Sequence, residues 1–132
     1  MSTLARRTAS AVYLIAALIV GLGALGYGSN TPKLAAALAQ SPAFEAADVR
    51  VILAVWVFVS GCMAVFGLIL GWTWWRWRNG ERRHFFASDM IGLFYAINGV
   101  ASVLYSGLAF FWLFLALGAA LLICGFVLRR SA

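Results

Sequence analysis

Four polar side chains with helical spacing lie inside an apolar stretch of this sequence. Tyr95, Asn98, Ser102 and Tyr105 are separated by three, four and three residues, so they share one face of a helix. Asn98 lies near the middle of the stretch, where an amide is costly unless it finds a hydrogen-bonding partner. We expect this face either to pack against another helix through hydrogen bonds or to hold a small ligand, such as a lipid or a quinone-like headgroup.

The groups on which most chemistry depends are missing from the interior of the apolar stretches. No Asp, Glu, Lys, Arg or His lies deep within one, whereas proton- and cation-coupled transporters generally keep such a residue in the membrane. The single histidine, His84, lies among arginines, and Cys62 and Cys124 lie at different depths, which argues against a disulfide. The sequence predicts no catalytic residue, no metal site, no cofactor and no enzyme.

Glycines recur at spacings that bring helix backbones close together. Gly67 and Gly71 form a GxxxG pattern in the second apolar stretch, and Gly92 and Gly99 lie beside the polar face of the third. We predict close packing at these four positions, with a partner helix in this chain or in another subunit. Residues 21–26 also match the dinucleotide-binding pattern GxGxxG, but that pattern functions only between a strand and a helix.

Four stretches are long and apolar enough to cross a membrane. Hydrophobic residues make up 64% of the 132 residues and charged residues only 11%, whereas a soluble domain carries about 25% charged residues. Since a span needs roughly 20 apolar residues, we place spans at residues 9–28, 49–72, 90–105 and 108–128, the last two joined by a tight turn at Ser106-Gly107. The predicted fold class is an all-α, four-helix transmembrane bundle that forms a single domain.

Helix-start signals subdivide the first loop, residues 29–48. Thr31-Pro32 and Ser41-Pro42 each place a capping side chain before a proline, which is typical of the first turn of a helix. They predict a short surface helix over residues 32–40 and a second helix that begins at Pro42. Ser88-Asp89 is predicted to cap the third span in the same way.

The basic residues are distributed unevenly between the two sides of the membrane. With four spans, eight of the ten share one side, namely Arg6, Arg7, Arg76, Arg78, Arg82, Arg83, Arg129 and Arg130. Glu81 and Asp89 lie on the same side and reduce this charge to +6. On the other side Lys33 and Arg50 are balanced by Glu45 and Asp48, so the whole net charge falls on one side. By the positive-inside rule, both termini and the basic loop at residues 73–89 are cytoplasmic, in a bacterial inner membrane.

Tryptophans and arginines alternate where the second span meets this basic loop. The tryptophans are typical of an interfacial aromatic belt, and they are Trp72, Trp74, Trp75 and Trp77. The arginines are predicted to contact anionic lipid, and they are Arg76, Arg78, Arg82 and Arg83. The same alternation occurs in stacking platforms for nucleic acid, but its place at the end of an apolar run argues against a nucleic-acid partner.

A few residues near the first loop suggest a resemblance to other membrane proteins. With Tyr27-Gly28 and Pro32 after the first span and Arg50 at the start of the second, the chain resembles a group of small bacterial four-helix membrane proteins of uncharacterised function. The layout covers the whole chain, although the Trp/Arg-rich segment at residues 72–83 departs from that group. The resemblance implies a similar fold and no particular activity.

Two functions are compatible with these features. The first is an accessory or assembly subunit that packs against partner membrane proteins or further copies of itself, favoured by the small-residue faces and short loops. The alternative is a small oligomeric permease or channel whose path is lined by the polar face of the third helix. In both functions the chain is expected to lie in a lipid bilayer.

The predicted orientation has a direct test. A reporter that is active only in the periplasm should be silent when fused after Ala132 and active when inserted near Gln40, because the charge bias puts these positions on opposite sides. Reporter activity in intact cells is the measurement, and the reverse pattern would overturn the orientation.

Overall fold

The structure, a computed structural model, describes residues 3–81 and 84–130. It contains four helices: α1 (Thr3–Ala39), α2 (Ala46–Arg78), α3 (Phe86–Ser106) and α4 (Trp112–Arg130), with a short 3-10 turn at Ala109–Phe111 before α4. No strand occurs within the described ranges. Four helical segments are long and apolar enough to cross a membrane, so the prediction of an all-α chain with four candidate spans is confirmed.

The first two helices are longer than their predicted spans. With 37 and 33 residues, α1 and α2 measure roughly 55 and 50 Å, against about 30 Å of hydrocarbon. The Trp/Arg segment therefore extends α2 to Arg78, and the predicted basic loop over residues 73–89 is helical in its first part. α2 ends at Arg78, and the chain leaves the helix at Gly80, where φ is +92°. The Gly80 and Glu81 N–H groups bond the carbonyls of Trp77 and Arg76 at 3.0 and 3.1 Å, as in a Schellman motif.

The separate surface helix predicted for residues 32–40 is instead the continuation of α1. Pro32 lies inside α1, where it has no N–H to donate to the carbonyl four residues earlier. Side chains before the proline supply extra donors to this turn, since Ser29 Oγ and Asn30 Nδ2 donate to the Gly26 carbonyl at 3.2 and 2.8 Å. The Thr-Pro pair thus does not start a new helix, and α1 continues through Pro32 to Ala39.

Two predicted helix starts also differ from the structure. α2 begins at Ala46, later than predicted, and the preceding Glu45 N–H donates to the Asp48 carboxylate at 3.1 Å. α3 begins at Phe86, so Ser88 lies within its first turn rather than before it. The Ser88 hydroxyl is then available for a bond to another helix.

The chain divides into two compact units. The first comprises Met1–Leu18 and Leu68–Ala132, and the second Ile19–Gly67. In the first unit α3 and α4 form a hairpin, whose turn contains Gly107 with φ +67° and an N–H bonded to the Val103 carbonyl. The tight turn predicted at residues 106–107 is therefore present.

The two helices of the hairpin are in backbone contact. A Cβ atom added to Gly99 would lie 2.4 Å from the Leu115 nitrogen, and one added to Gly118 would lie 2.4 Å from the Ala96 nitrogen. Because real Cβ atoms do not come this close to backbone, only glycine permits the observed approach. The largest buried side chains of this unit include Tyr13, Phe85 and Leu121.

The second unit pairs the C-terminal part of α1 with the first part of α2. A Cβ atom on Gly21 would lie 3.5 Å from the Gly67 Cα atom, so these backbones are also close. Ser60 Oγ donates to the Ala24 carbonyl at 2.7 Å. Close approach and a polar bond therefore occur together in this unit.

Gly118→Ala should destabilise the α3–α4 hairpin. The added methyl group meets backbone atoms, and overpacking of this kind costs about 1–3 kcal/mol. The matched control is Gly71→Ala, because a Cβ atom at Gly71 meets nothing within 4 Å and alanine favours helix by about 1 kcal/mol. Equilibrium unfolding in mixed detergent micelles measures both, and equal behaviour of the two variants would contradict the backbone contact.

Candidate functional sites

The predicted polar face of α3 winds around its helix. The three steps from Tyr95 to Tyr105 advance ten positions, about 3.3 residues per step against 3.6 per helical turn, so the stripe rotates by roughly 80° from end to end. Tyr95 is 4% exposed and packs edge-on against the Phe114 ring of α4, with centroids 5.6 Å apart. Tyr105 at the other end is 95% exposed. The stripe thus starts against α4 and ends on the outer surface.

Asn98 and Ser102 lie between these extremes. Asn98 is exposed and Ser102 half-buried. The Asn98 Nδ2 group donates to the Phe94 carbonyl of its own helix at 2.8 Å, and the Ser102 carbonyl accepts a bond from Ser106 Oγ at 2.6 Å. The hydrogen bonds observed here remain within α3 and do not tie this part of the stripe to α4.

Of the four glycines predicted to pack closely, three lie against another helix and one does not. Gly92 and Gly99 are buried against α4, and Gly67 lies beside Gly21 of α1. A Cβ atom at Gly71 would meet nothing within 4 Å. The GxxxG pattern of α2 therefore uses only its first glycine for close approach within the described chain.

A buried polar cluster joins helices that the sequence does not connect. The hydroxyls of Tyr13 and Ser88, from α1 and α3, share a hydrogen bond of 2.6 Å, and both residues are fully buried. Thr73 of α2 is buried beside them and interacts with the Tyr13 hydroxyl. The sequence signal was a lone tyrosine in an apolar run, which indicates a buried hydroxyl but does not identify its partner 75 residues away.

The tryptophans at the end of α2 form two pairs. Trp72 and Trp75 are exposed, as expected of an interfacial belt. Trp74 and Trp77 are half-buried, and their Nε1 groups donate to Ser10 Oγ at 2.9 Å and to the Leu128 carbonyl at 3.2 Å. The second pair therefore fastens α2 to α1 and α4.

The four arginines predicted to contact anionic lipid have different surroundings. Arg76 is ion-paired with Glu81, and its guanidinium, by donating to that carboxylate, holds the pKa of Glu81 below its usual value. Arg78 lies over the Trp74 ring, with its Cζ atom 5.0 Å from the centroid. Arg82 and Arg83 lie outside the described residues.

A cavity of about 580 Å³ opens beside Arg78. We call it the basic cavity, and its lining residues are Arg6, Arg7, Ser10, Ala11, Leu14, Trp74, Trp77, Arg78 and Gly80. The structure thus groups one predicted lipid-contact residue with Arg6 and Arg7 of α1. Sequence reasoning placed all three arginines on one side of the membrane but did not bring them to one site.

Neither a metal-binding cluster among the described residues nor a known relative indicates a function. Within residues 3–81 and 84–130, no three His, Cys, Asp or Glu side chains are grouped so as to hold a metal ion. Comparison with protein-family models, with curated proteins and with solved structures finds no match to this chain. No activity of a relative therefore transfers to it.

The Tyr13–Ser88 bond should be measurable by a double-mutant cycle. Tyr13→Phe and Ser88→Ala should each destabilise the protein by about 0.6 kcal/mol, up to about 1.7, and the double variant should cost less than their sum because both remove one bond. Tyr105→Phe is the control, since that residue is 95% exposed. Detergent-induced unfolding provides the free energies, and strict additivity of the two substitutions would argue against the bond.

Proposed function

We propose that this chain is a non-enzymatic, multi-pass membrane protein that acts as an accessory or assembly subunit. In this proposal it packs against a partner membrane protein, or against another copy of itself, through the outer part of the α3 stripe. The partner-facing surface is formed by Asn98, Ser102 and Tyr105. The observation that carries the proposal is the exposed amide of Asn98 near the middle of an apolar helix.

The hydrogen-bonding capacity of Asn98 supports a protein partner. An asparagine side chain offers two N–H donors and two acceptor sites, and the bond observed within the described chain uses one donor, to the Phe94 carbonyl. Hydrocarbon contains no water to satisfy the others. A partner helix supplies them, and such interhelical bonds hold transmembrane helices together.

The neighbours of Asn98 suit a helix partner. Ala101 is exposed and Ser102 half-buried, and both stand one turn after Asn98 on the same side of α3. Small side chains beside a polar one allow a second helix backbone to approach closely. Tyr105, in the last turn of α3, then places its hydroxyl near the membrane boundary, where tyrosine is common.

We also propose a four-helix bundle in a bacterial inner membrane, with both termini in the cytoplasm. The bonds from Trp74 to Ser10 and from Trp77 to the Leu128 carbonyl support a common side for the arginines near these residues. That common side carries the charge excess, as the positive-inside rule requires of a cytoplasmic face.

Replacement of Asn98 tests the proposal. Asn98→Leu should weaken association with the partner by about 0.6–2 kcal/mol, roughly 3- to 30-fold in affinity, with the monomer still folded. Ile97→Leu is the matched control, because Ile97 is also exposed on α3 but carries no hydrogen-bonding group. Gentle-detergent purification followed by quantitative mass spectrometry of co-purifying proteins, with size measured in parallel, gives the result.

Two outcomes would contradict the subunit proposal. One is recovery of the wild-type protein only as a bare monomer. The other is solute flux through reconstituted vesicles that Asn98→Leu abolishes while assembly survives, which would favour an oligomeric permease with a path between copies. The exposure of Asn98 means that a path lined by this residue requires more than one copy.

A further inference from the structure

The basic cavity is built from one face of each of two helices. On α1, Arg7, Ser10, Ala11 and Leu14 follow at three, four and seven residues, which is the spacing of a single helix face. On α2, Trp74, Trp77 and Arg78 have the same relation. The Trp74 Nε1 to Ser10 Oγ bond of 2.9 Å holds the two faces together. Two regular helix faces joined by a hydrogen bond therefore form the walls of the cavity.

The cavity carries positive charge that no ion pair among the described residues neutralises. Three arginines line it, namely Arg6, Arg7 and Arg78. The ion pairs formed within the described ranges join Arg76 and His84 to Glu81 and join Arg129 to Asp89, so none neutralises a cavity arginine. Glu81, the acidic residue nearest in sequence to Arg78, is already paired with Arg76.

Clustered guanidinium groups favour a phosphate ligand. Arginine presents planar donors that match the oxygens of a phosphate, frequently in pairs, and such charge-assisted bonds are stronger than neutral ones. Within the described residues, the carboxylates of Glu81 and Asp89 are already paired with Arg76 and Arg129. The site therefore calls for an anion from outside the chain.

The walls of the cavity change character along α1. Leu14 lies seven residues beyond Arg7, roughly 10 Å further along the helix, so the charged end passes into an apolar end. The indole N–H groups of Trp74 and Trp77 are already bonded, which leaves their rings as largely apolar wall. A volume of about 580 Å³ exceeds what a phosphate ion alone fills, and it falls within the range typical of small-molecule sites, about 300–1,000 Å³.

From this arrangement we propose that the basic cavity binds the phosphate group of one anionic phospholipid. The phosphate lies against the arginines, and the glycerol ester region of the lipid lies against the tryptophan rings and Leu14. This occupancy is a stoichiometric site, distinct from the diffuse attraction that every basic residue near a membrane exerts on anionic lipid. It is independent of the α3 surface proposed for protein association, because the two share no residue.

A matched pair of arginines separates a site from diffuse attraction. Arg78 ends α2 and lies over the Trp74 ring, and Arg130 ends α4 and lies over the Phe126 ring at 4.2 Å. Both substitutions, Arg78→Gln and Arg130→Gln, remove one positive charge from a helix end, but only the first alters the cavity. Native mass spectrometry of the intact protein in detergent, titrated with phosphatidylglycerol, counts bound lipids and gives the dissociation constant.

We expect one saturable phosphatidylglycerol per chain, with a dissociation constant that rises about tenfold or more in Arg78→Gln and less than about twofold in Arg130→Gln. Phosphatidylcholine with the same acyl chains should bind more weakly than phosphatidylglycerol. Equal weakening by the two substitutions would overturn the site in favour of diffuse attraction, and equal affinity for the two lipids would overturn the requirement for an anion.

Two further measurements test the location of the site and the source of the phosphate. Ala11→Phe fills the cavity without changing any charge, so it should abolish the saturable lipid while helix content, measured by circular dichroism, is unchanged. Retention of the lipid in this folded variant would contradict the location. Competition with inorganic phosphate at millimolar concentration distinguishes the source of the phosphate, since displacement of phosphatidylglycerol would overturn the lipid assignment and indicate a soluble phosphate compound.

Discussion

Helices in a bilayer gain little by burying apolar side chains against each other, because lipid tails are equally apolar. Close contact and hydrogen bonds must then hold them, and the α3–α4 hairpin depends on the first of these. At Gly99 and Gly118 the backbones are so near that a single added carbon would lie 2.4 Å from a nitrogen of the other helix. The other contacts of this unit surround this pair of helices, since Tyr13 bonds to Ser88 of α3 and Trp77 to the Leu128 carbonyl of α4.

Hydrogen bonds supply the second means of association, and aromatic residues carry much of it. In each unit a tryptophan side chain donates to an atom of another helix, as Trp74 does to the Ser10 hydroxyl and as Trp56 does to the Tyr27 carbonyl at 2.8 Å. The basic cavity and Asn98 do not follow this pattern of hydrogen bonds between helices. The cavity arginines take part in no ion pair within the described residues. Asn98 lies in the middle of α3, where hydrocarbon offers neither donors nor acceptors.

Sequence patterns predicted the features that depend on local chemistry. Uninterrupted apolar length predicted four candidate spans, and Gly107 predicted the hairpin turn, because a left-handed backbone is readily adopted by glycine. Two local helix-start signals were misleading. Pro32 does not end α1, and Ser88 does not cap α3, because its hydroxyl bonds Tyr13 instead.

The sequence alone therefore determined the number of candidate spans, the side on which the excess charge is predicted to lie, and which side chains are too polar for lipid. Only the tertiary structure decided how each helix is rotated, and hence which of those side chains meet. Rotation placed Tyr95 against Phe114 while Asn98 remained exposed, left Gly71 in open space, and brought Arg6 and Arg7 beside Arg78. These outcomes depend on contacts between residues far apart in the chain, and helical periodicity fixes neither their partners nor their register.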